Sequence, residues 1–223
     1  MAGAVVVRPE PGCTRTAARL TALGIDALAM PFFAVRALAW DVPDLAPHDS
    51  LLLTSANAVR HGGAGLDAVR HLPVIAVGEA TAAAARAAGL RVEAVGTGDV
   101  AAALAAAGPR RPLHLAGRDR REAGMDAVAV YASEALPIAA AALAACDGRV
   151  MLLHSARAAA RIADLVPTGR DRLAVAALSP AVLAAAGQGW AWTVAAAVPT
   201  DAALVAAVAE RLTGSHRLRI SDA

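Results

Sequence analysis

The residues able to do chemistry in this chain recur at one kind of place, directly after short apolar runs. Arg8-Pro9-Glu10 follows Val5-Val6-Val7, and Thr54-Ser55 follows Leu51-Leu52-Leu53. Gly78-Glu79, Gly96-Thr97, Gly117-Arg118, His154-Ser155, Ser179-Pro180 and Thr200-Asp201 sit in the same relation to the runs before them. Ser55, Ser155 and Thr200 suit helix N-caps, and Pro180 suits a first helical position. Each such helix start offers unsatisfied backbone N–H groups and the positive end of a dipole. The chemistry this favours is capture of anions, carboxylate or phosphate, by main chain rather than by side-chain cations.

Other chemistries are excluded by what is missing. All 21 basic residues counted as Lys+Arg are arginine. Without a lysine there is no Schiff-base amine and no phosphate-binding Walker lysine. The sequence has no GxSxG nucleophile elbow and no GxGxxG after its first apolar run; Thr97 in Gly96-Thr97-Gly98 lacks the third glycine. Cys13 and Cys146 form no CxxC pair, which fits a reducing compartment, and the six histidines make no HExxH or Cys/His cluster. No metal site is expected. Tyr131 is the only tyrosine, expected at the end of a linker strand, where packing and chemistry are both open to it. A net charge of +2, evenly spread, argues against a nucleic-acid surface.

The elements that must carry these residues follow from the pattern between them, in which short apolar runs alternate with alanine-rich amphipathic segments. That alternation predicts parallel sheets covered by helices on both faces. The mean hydropathy of +0.51 would suit a membrane protein, but 64 alanines raise it without adding much apolar area. The longest uncharged stretch, Leu173 to Thr200, is broken by Ser179-Pro180 and by Gly187-Gln188-Gly189. It reads as strand, helix and strand rather than a span. The opening MAGAVVVRPEPG has no export-signal pattern. A soluble, cytoplasmic chain is expected.

An internal repeat organises the alternation. LLLTS at 51–55 matches MLLHS at 151–155, VGEATAAA at 77–84 matches LSPAVLAA at 178–185, and AVGTGD at 94–99 matches AVPTD at 197–201 with one gap. The opening VVVRPEP segment resembles LHLAGRDRREAG, and DALAMP resembles DAVAVY. Two five-stranded lobes follow, with the units of one in permuted order. Residues 1–32 and 137–223 would form a discontinuous first lobe, 39–128 an inserted second lobe, and 33–38 and 129–136 linker strands pairing as a short ladder. Ligand is expected beyond the carboxyl ends of the strands, with polar loops of both lobes facing one cleft.

Taken in order, the motifs VVVRPEPG (5–12), LLLTSANAVR (51–60), VIAVGEATAAAARAAG (74–89), VGTGD (95–99), LHLAGRDRRE (113–122), VAVYASE (128–134), LLHSARAAAR (152–161), ALSPAV (177–182) and VPTDAAL (198–204) resemble the uroporphyrinogen-III synthases nearly end to end. The resemblance implies two flavodoxin-like α/β lobes joined by a two-stranded β-ladder, the second inserted in the first. It implies cyclisation of hydroxymethylbilane to uroporphyrinogen III, with loss of water and inversion of ring D through a spiro intermediate, in haem synthesis. No cofactor is implied.

By motif position, Tyr131 corresponds to a family tyrosine that assists loss of the hydroxyl as a hydrogen-bond donor. Thr81 corresponds to a cleft-lining threonine. Thr54, Ser55, Gly78, Gly117, Ser155 and Ser179 lie on substrate-facing loops, and Arg8 either meets substrate or braces its lobe. The chain departs from the family at Val7, where many relatives carry threonine, at Ala181 and Val182 after Ser179-Pro180, and at His154, where threonine or phenylalanine is common. The expected partner is the substrate alone, with no nucleic acid or membrane. A monomer is expected, with transient contact with the preceding pathway enzyme left open. The rival reading is a non-catalytic two-lobed sensor of an anionic metabolite, which would have no need of Tyr131.

Overall fold

The computed structural model describes residues 3–96, 99–120 and 124–221, with side chains described as far as residue 213. Thr97, and residues 121–122 of the LHLAGRDRRE motif, lie outside the described residues. The chain opens with β1 (Ala4–Val6), α1 (Gly12–Ala22) and β2 (Ala27–Ala29). It continues through β3 (Phe33–Ala37), β4 (Ser50–Leu53), α2 (Ala56–His61), α3 (Gly65–Val69), β5 (Val74–Val77) and α4 (Glu79–Ala87). Next come β6 (Val92–Gly96), α5 (Val100–Ala107), β7 (Pro112–Gly117) and β8 (Ala127–Ala135). The remainder holds α6 (Ala140–Ala144), β9 (Val150–Leu153), α7 (Ala156–Leu165), β10 (Ala174–Ala177), α8 (Pro180–Ala185), β11 (Thr193–Ala195) and α9 (Asp201–Ser221).

The contacts divide the chain into two units, Met1–Ala34 with Ala135–Ala223, and Val35–Glu134. In the first, the sheet order is β11-β10-β9-β1-β2, all parallel. In the second, it is β3-β8-β7-β4-β5-β6, in which β8, β7, β4, β5 and β6 are parallel. Matching β9, β10, β11, β1 and β2 to β4, β5, β6, β7 and β8 gives the same spatial order in both. The repeat read from the sequence is therefore one doubly wound topology used twice, in the order 3-2-1-4-5 when counted from β4 or β9.

Burial explains why these runs are strands. Ser50–Leu53, Val150–Leu153 and Ala174–Ala177 are buried at every position, as strands covered on both faces must be. Their alternation shows in the packing. Val5, Met151, Leu153 and Val175 meet α7 through Ala158, Ala159 and Ile162. Ala4, Val6, Val150, Leu152 and Ala176 face the other way, onto Leu20 of α1 and Leu204, Val205 and Val208 of α9. In the second unit Leu51, Leu53, Leu113 and Leu115 pack on one face, and Leu52 and Ile75 on the other with Ala103 of α5. The alanines thus serve as thin helix faces: Ala82, Ala85, Ala103 and Ala159 are fully buried. Among the described residues no helix is long and apolar enough to cross a membrane.

The outgoing β3 and returning β8 pair side by side. Leu136 N–H donates to Phe32, Arg36 meets Glu134, and Leu38 N–H donates to Val130. Partner numbers fall as residue numbers rise, so this ladder is antiparallel. Tyr131, expected at the end of a linker strand, instead lies inside β8, because β8 continues the parallel sheet and the ladder as one strand.

Candidate functional site

In a doubly wound sheet, ligands bind at the carboxyl edge where strand order reverses. The second unit reverses between β4 and β7, and the first between β9 and β1. The polar residues of each unit gather at these points.

In the second unit, β4 ends in Thr54, whose hydroxyl lies 3.1 Å from Nε2 of His114 on β7. His114 is only 4% exposed. Burial, then the nearby charge of Arg120, pushes its pKa below the ordinary histidine value, so the ring is neutral at neutral pH. Ser55 caps α2 by accepting from Asn57 N–H at 3.2 Å. Gly78 takes the corresponding place before α4 with φ of 82°, which suits glycine, and brings no side-chain cap. Thr81, in the first turn of α4, is buried at 5% exposure.

Beside Thr54 and His114, Gly117 closes β7 and pairs with Tyr131, after a register slip between Ala116 and Gly117. Arg118 N–H donates to the Tyr131 carbonyl at 2.8 Å. The Tyr131 ring is half-buried against the core, its centroid 6.4 Å from that of His61 at the end of α2. Its hydroxyl has no hydrogen-bond partner among the described residues, and a phenolic O–H left so is a ready donor.

The first unit is built differently at the same place. Here Asp201, at the start of α9, gathers four side chains. It accepts from Thr16 Oγ1 at 2.6 Å and from Arg8 at 3.2 Å, and meets His154 Nε2 at 2.7 Å. Arg19 pairs with its other oxygen. Burial works to raise the Asp201 carboxyl, but the bonds from Thr16 and His154 and the charge of Arg8 outweigh it and hold it below the usual value. His154 moves down chiefly because it is buried, with Asp201 opposing. With Asp201 ionised and accepting only, the neutral His154 carries its proton on Nε2.

Ser155 caps α7 through Ala158 N–H, Ser179 caps α8 through Val182 N–H, and Thr200 caps α9 through Ala203 N–H. Pro180 takes the first turn of α8. Ser55, Ser155 and Ser179 thus each spend one acceptor site on their own helix. In the second unit the fold brings together Thr54, Gly117 and Tyr131 on adjacent strands; Gly78 and Thr81 belong to the next loop, after β5. Sequence reasoning did not single out His61, His114, Thr16 or Arg19, and counted Asp201 only as a loop residue. His154 was marked by its departure from the family pattern and by its place opposite Thr54 in the repeat. Among the described residues no group of His, Cys, Asp and Glu could hold a metal ion.

Two repeated, doubly wound parallel units, each with polar side chains at its strand-order reversal, define an α/β protein of duplicated topology. A family model for uroporphyrinogen-III synthase HemD matches residues 14–206, and the chain belongs to that family. Its members cyclise hydroxymethylbilane in haem biosynthesis, and that is the activity of this chain. The fold is similar to the crystal structure of uroporphyrinogen-III synthetase from Helicobacter pylori, with a TM-score of 0.66 at 14% identity, over 93% of this chain and 98% of that one. A mutant uroporphyrinogen III synthase from the extremely thermophilic bacterium Thermus thermophilus gives 0.56 at 17% identity, over 96% and 100%. No curated protein matches the chain by sequence.

Proposed function

We propose that Tyr131 is the group that assists departure of the terminal hydroxyl of hydroxymethylbilane. Its phenol hydrogen-bonds the leaving oxygen as the C–O bond breaks, and a proton taken up from solvent completes the departing water, leaving a cationic azafulvene. The substituted carbon of ring D then attacks that cation; the resulting spirocycle fragments and recloses with ring D inverted, releasing a proton to solvent. The observation that carries this reading is the Tyr131 hydroxyl, unclaimed by any described residue and level with the carboxyl end of β7.

The rest of the site is proposed to hold rather than to react. The substrate bears carboxylates on every ring, and each unit by itself offers helix starts whose backbone N–H groups suit such anions, after Thr54-Ser55 and Gly78 in the second and after Ser155 and Ser179 in the first. Gly117 and Thr81 shape the second unit around it. Arg8, already bonded to Asp201 and Thr16, contributes positive potential from a braced position. Orientation is the main catalytic term, because the bilane closes unaided to the uninverted isomer and the protein must favour the more crowded attack. We infer a cytoplasmic monomer whose only obligatory partner is its substrate.

The test is product analysis. The purified protein, given freshly made hydroxymethylbilane, should divert the product from the uninverted to the inverted isomer, read by chromatography of the oxidised porphyrins. The same assay on Tyr131→Phe should show the inverted isomer forming more slowly, and formation at the parent rate would overturn the reading.

A further inference from the structure

The neighbourhood of Tyr131 has a construction that donation alone does not require. Three independent features meet at its ring. Strands β7 and β8 run in step from His114 opposite Ala127 to Ala116 opposite Ala129, and then Gly117 pairs with Tyr131, skipping Val130. A slip of this kind inserts a residue and re-aims the side chain beside it. Val130 and Ala132 on either side are fully buried, whereas Tyr131 is half-exposed.

Second, Gly117 leaves no room for a side chain. A Cβ there would stand 2.9 Å from Cε2 and Cζ of Tyr131 and 3.1 Å from its hydroxyl. Carbon atoms in contact sit about 3.5–4.0 Å apart, so any larger residue would push the phenol away. Third, the imidazole of His61 stands 6.4 Å from the ring, tilted by 39°. That lies within the range of a favourable aromatic pair. Burial and the adjacent Arg60 lower the His61 pKa, so it brings no charge beside the phenol at neutral pH.

We propose that Gly117 and His61 are positioning residues that seat the Tyr131 ring, fixing where its hydroxyl points when the substrate hydroxyl leaves. Gly117 acts by lacking a side chain, and His61 by presenting an aromatic edge or face; neither touches the reacting atoms. The proposal rests on the reading of Tyr131 as the donor, and it adds a structural cause for the direction of donation. It gives Gly117 a role toward the Tyr131 ring, which lies where a Cβ at this position would point.

Because Tyr131 is the only tyrosine, fluorotyrosine incorporation places one fluorine probe in the whole protein, on the ring in question. The comparison is between the labelled parent protein and its His61→Ala, His61→Phe and Gly117→Ala variants, by fluorine NMR and by steady-state kinetics with hydroxymethylbilane. His61→Ala and Gly117→Ala should shift or broaden the line and lower kcat about tenfold, as misplacement of a catalytic group does, while KM moves less than about twofold. His61→Phe should restore both, since it keeps a ring and discards the nitrogens.

An unmoved line in His61→Ala, or a moved line with kcat unchanged, overturns the seat, and so does His61→Phe behaving like His61→Ala. Should Gly117→Ala fail to fold, the two His61 variants decide alone. Tyr131→Phe turning over at the parent rate would instead remove the donor reading, while the fluorine line would still report whether the ring is seated.

Discussion

His154 Nε2 lies 2.7 Å from the Asp201 carboxylate, tying the end of β9 to the first turn of α9 across 47 residues of sequence. Thr16 and Arg8 reach the same oxygen, and Arg19 the other. One carboxylate thus joins β1, α1, β9 and α9 at the strand-order reversal of the first unit. Where the second unit has the neutral pair of Thr54 and His114, the first has an anion ringed by donors.

Removing that anion should weaken the fold. Asp201→Asn keeps a group able to accept from Thr16 but leaves Arg8 beside a neutral partner. A loss of about 2 kcal/mol is expected, in line with hydrogen bonds to charged groups in partly exposed surroundings. Denaturant unfolding measures it; an unchanged midpoint would mean the charge on residue 201 contributes nothing net.

The histidines give the stability a pH dependence of known sign. His114 and His154 both have folded pKa values below the ordinary 6.5. Below that value the unfolded chain takes up protons that the folded chain resists, so stability is full above pH 6.5 and falls as pH drops toward the folded values. Asp201 adds a second decline, from 3.8 downward through its lower folded value. Melting temperature should fall as pH drops below about 6.5, and His154→Thr with His114→Gln should flatten that slope.

Thr54→Val keeps shape and removes the hydroxyl facing the buried His114 ring. Leaving that nitrogen without its partner should cost about 1–3 kcal/mol. Thermal unfolding would detect it, and isomer selectivity should be retained if Thr54 acts through His114 alone.

Tyr131→Phe should slow turnover about 10²-fold, the range for loss of a positioned proton donor, with little change in melting temperature because its hydroxyl holds no internal bond among the described residues. A chromatographic assay that finds the parent rate would assign this ring to packing.

The thiols should be silent in the native protein. Burial, with the charge of Glu10 adding to it, pushes the Cys13 thiol up to about 11, and burial raises Cys146 as well. A thiol reagent at neutral pH should therefore react at the rate of unfolding, not at the rate of a free cysteine. Rapid labelling of the folded chain would contradict the burial.

The sheets were legible in the sequence because their strands are continuous apolar runs, and Ser50–Leu53 and Val74–Val77 admit no other partner than a doubly covered sheet. Three caps were legible too: Ser55, Ser155 and Thr200 sit where their side-chain oxygens must go. Tyr131 was expected at the end of a strand and lies within one, since nothing local says that β8 serves two neighbours at once. The Asp201 cluster was hidden for a different reason. Arg8 and Asp201 are separated by 193 residues, and no periodicity links two polar side chains that only a permuted topology brings together. His61 was missed because a histidine at a helix end reads as a C-terminal charge, not as a neighbour of a distant ring.

The permutation also sets an order of events during synthesis. β1 is an interior strand of its sheet, flanked by β2 and by β9, with Ala4 opposite Val150. On the ribosome β1 and β2 emerge first, yet the neighbour on β1's other edge is made only after the whole inserted unit. That unit, continuous from Val35 to Glu134, can complete its sheet while the N-terminal segment still carries an open edge. The nascent chain therefore carries an open strand edge from the making of β1 until β9 (Val150–Leu153) emerges, and it is this interval, more than the finished protein, that chaperones would have to guard.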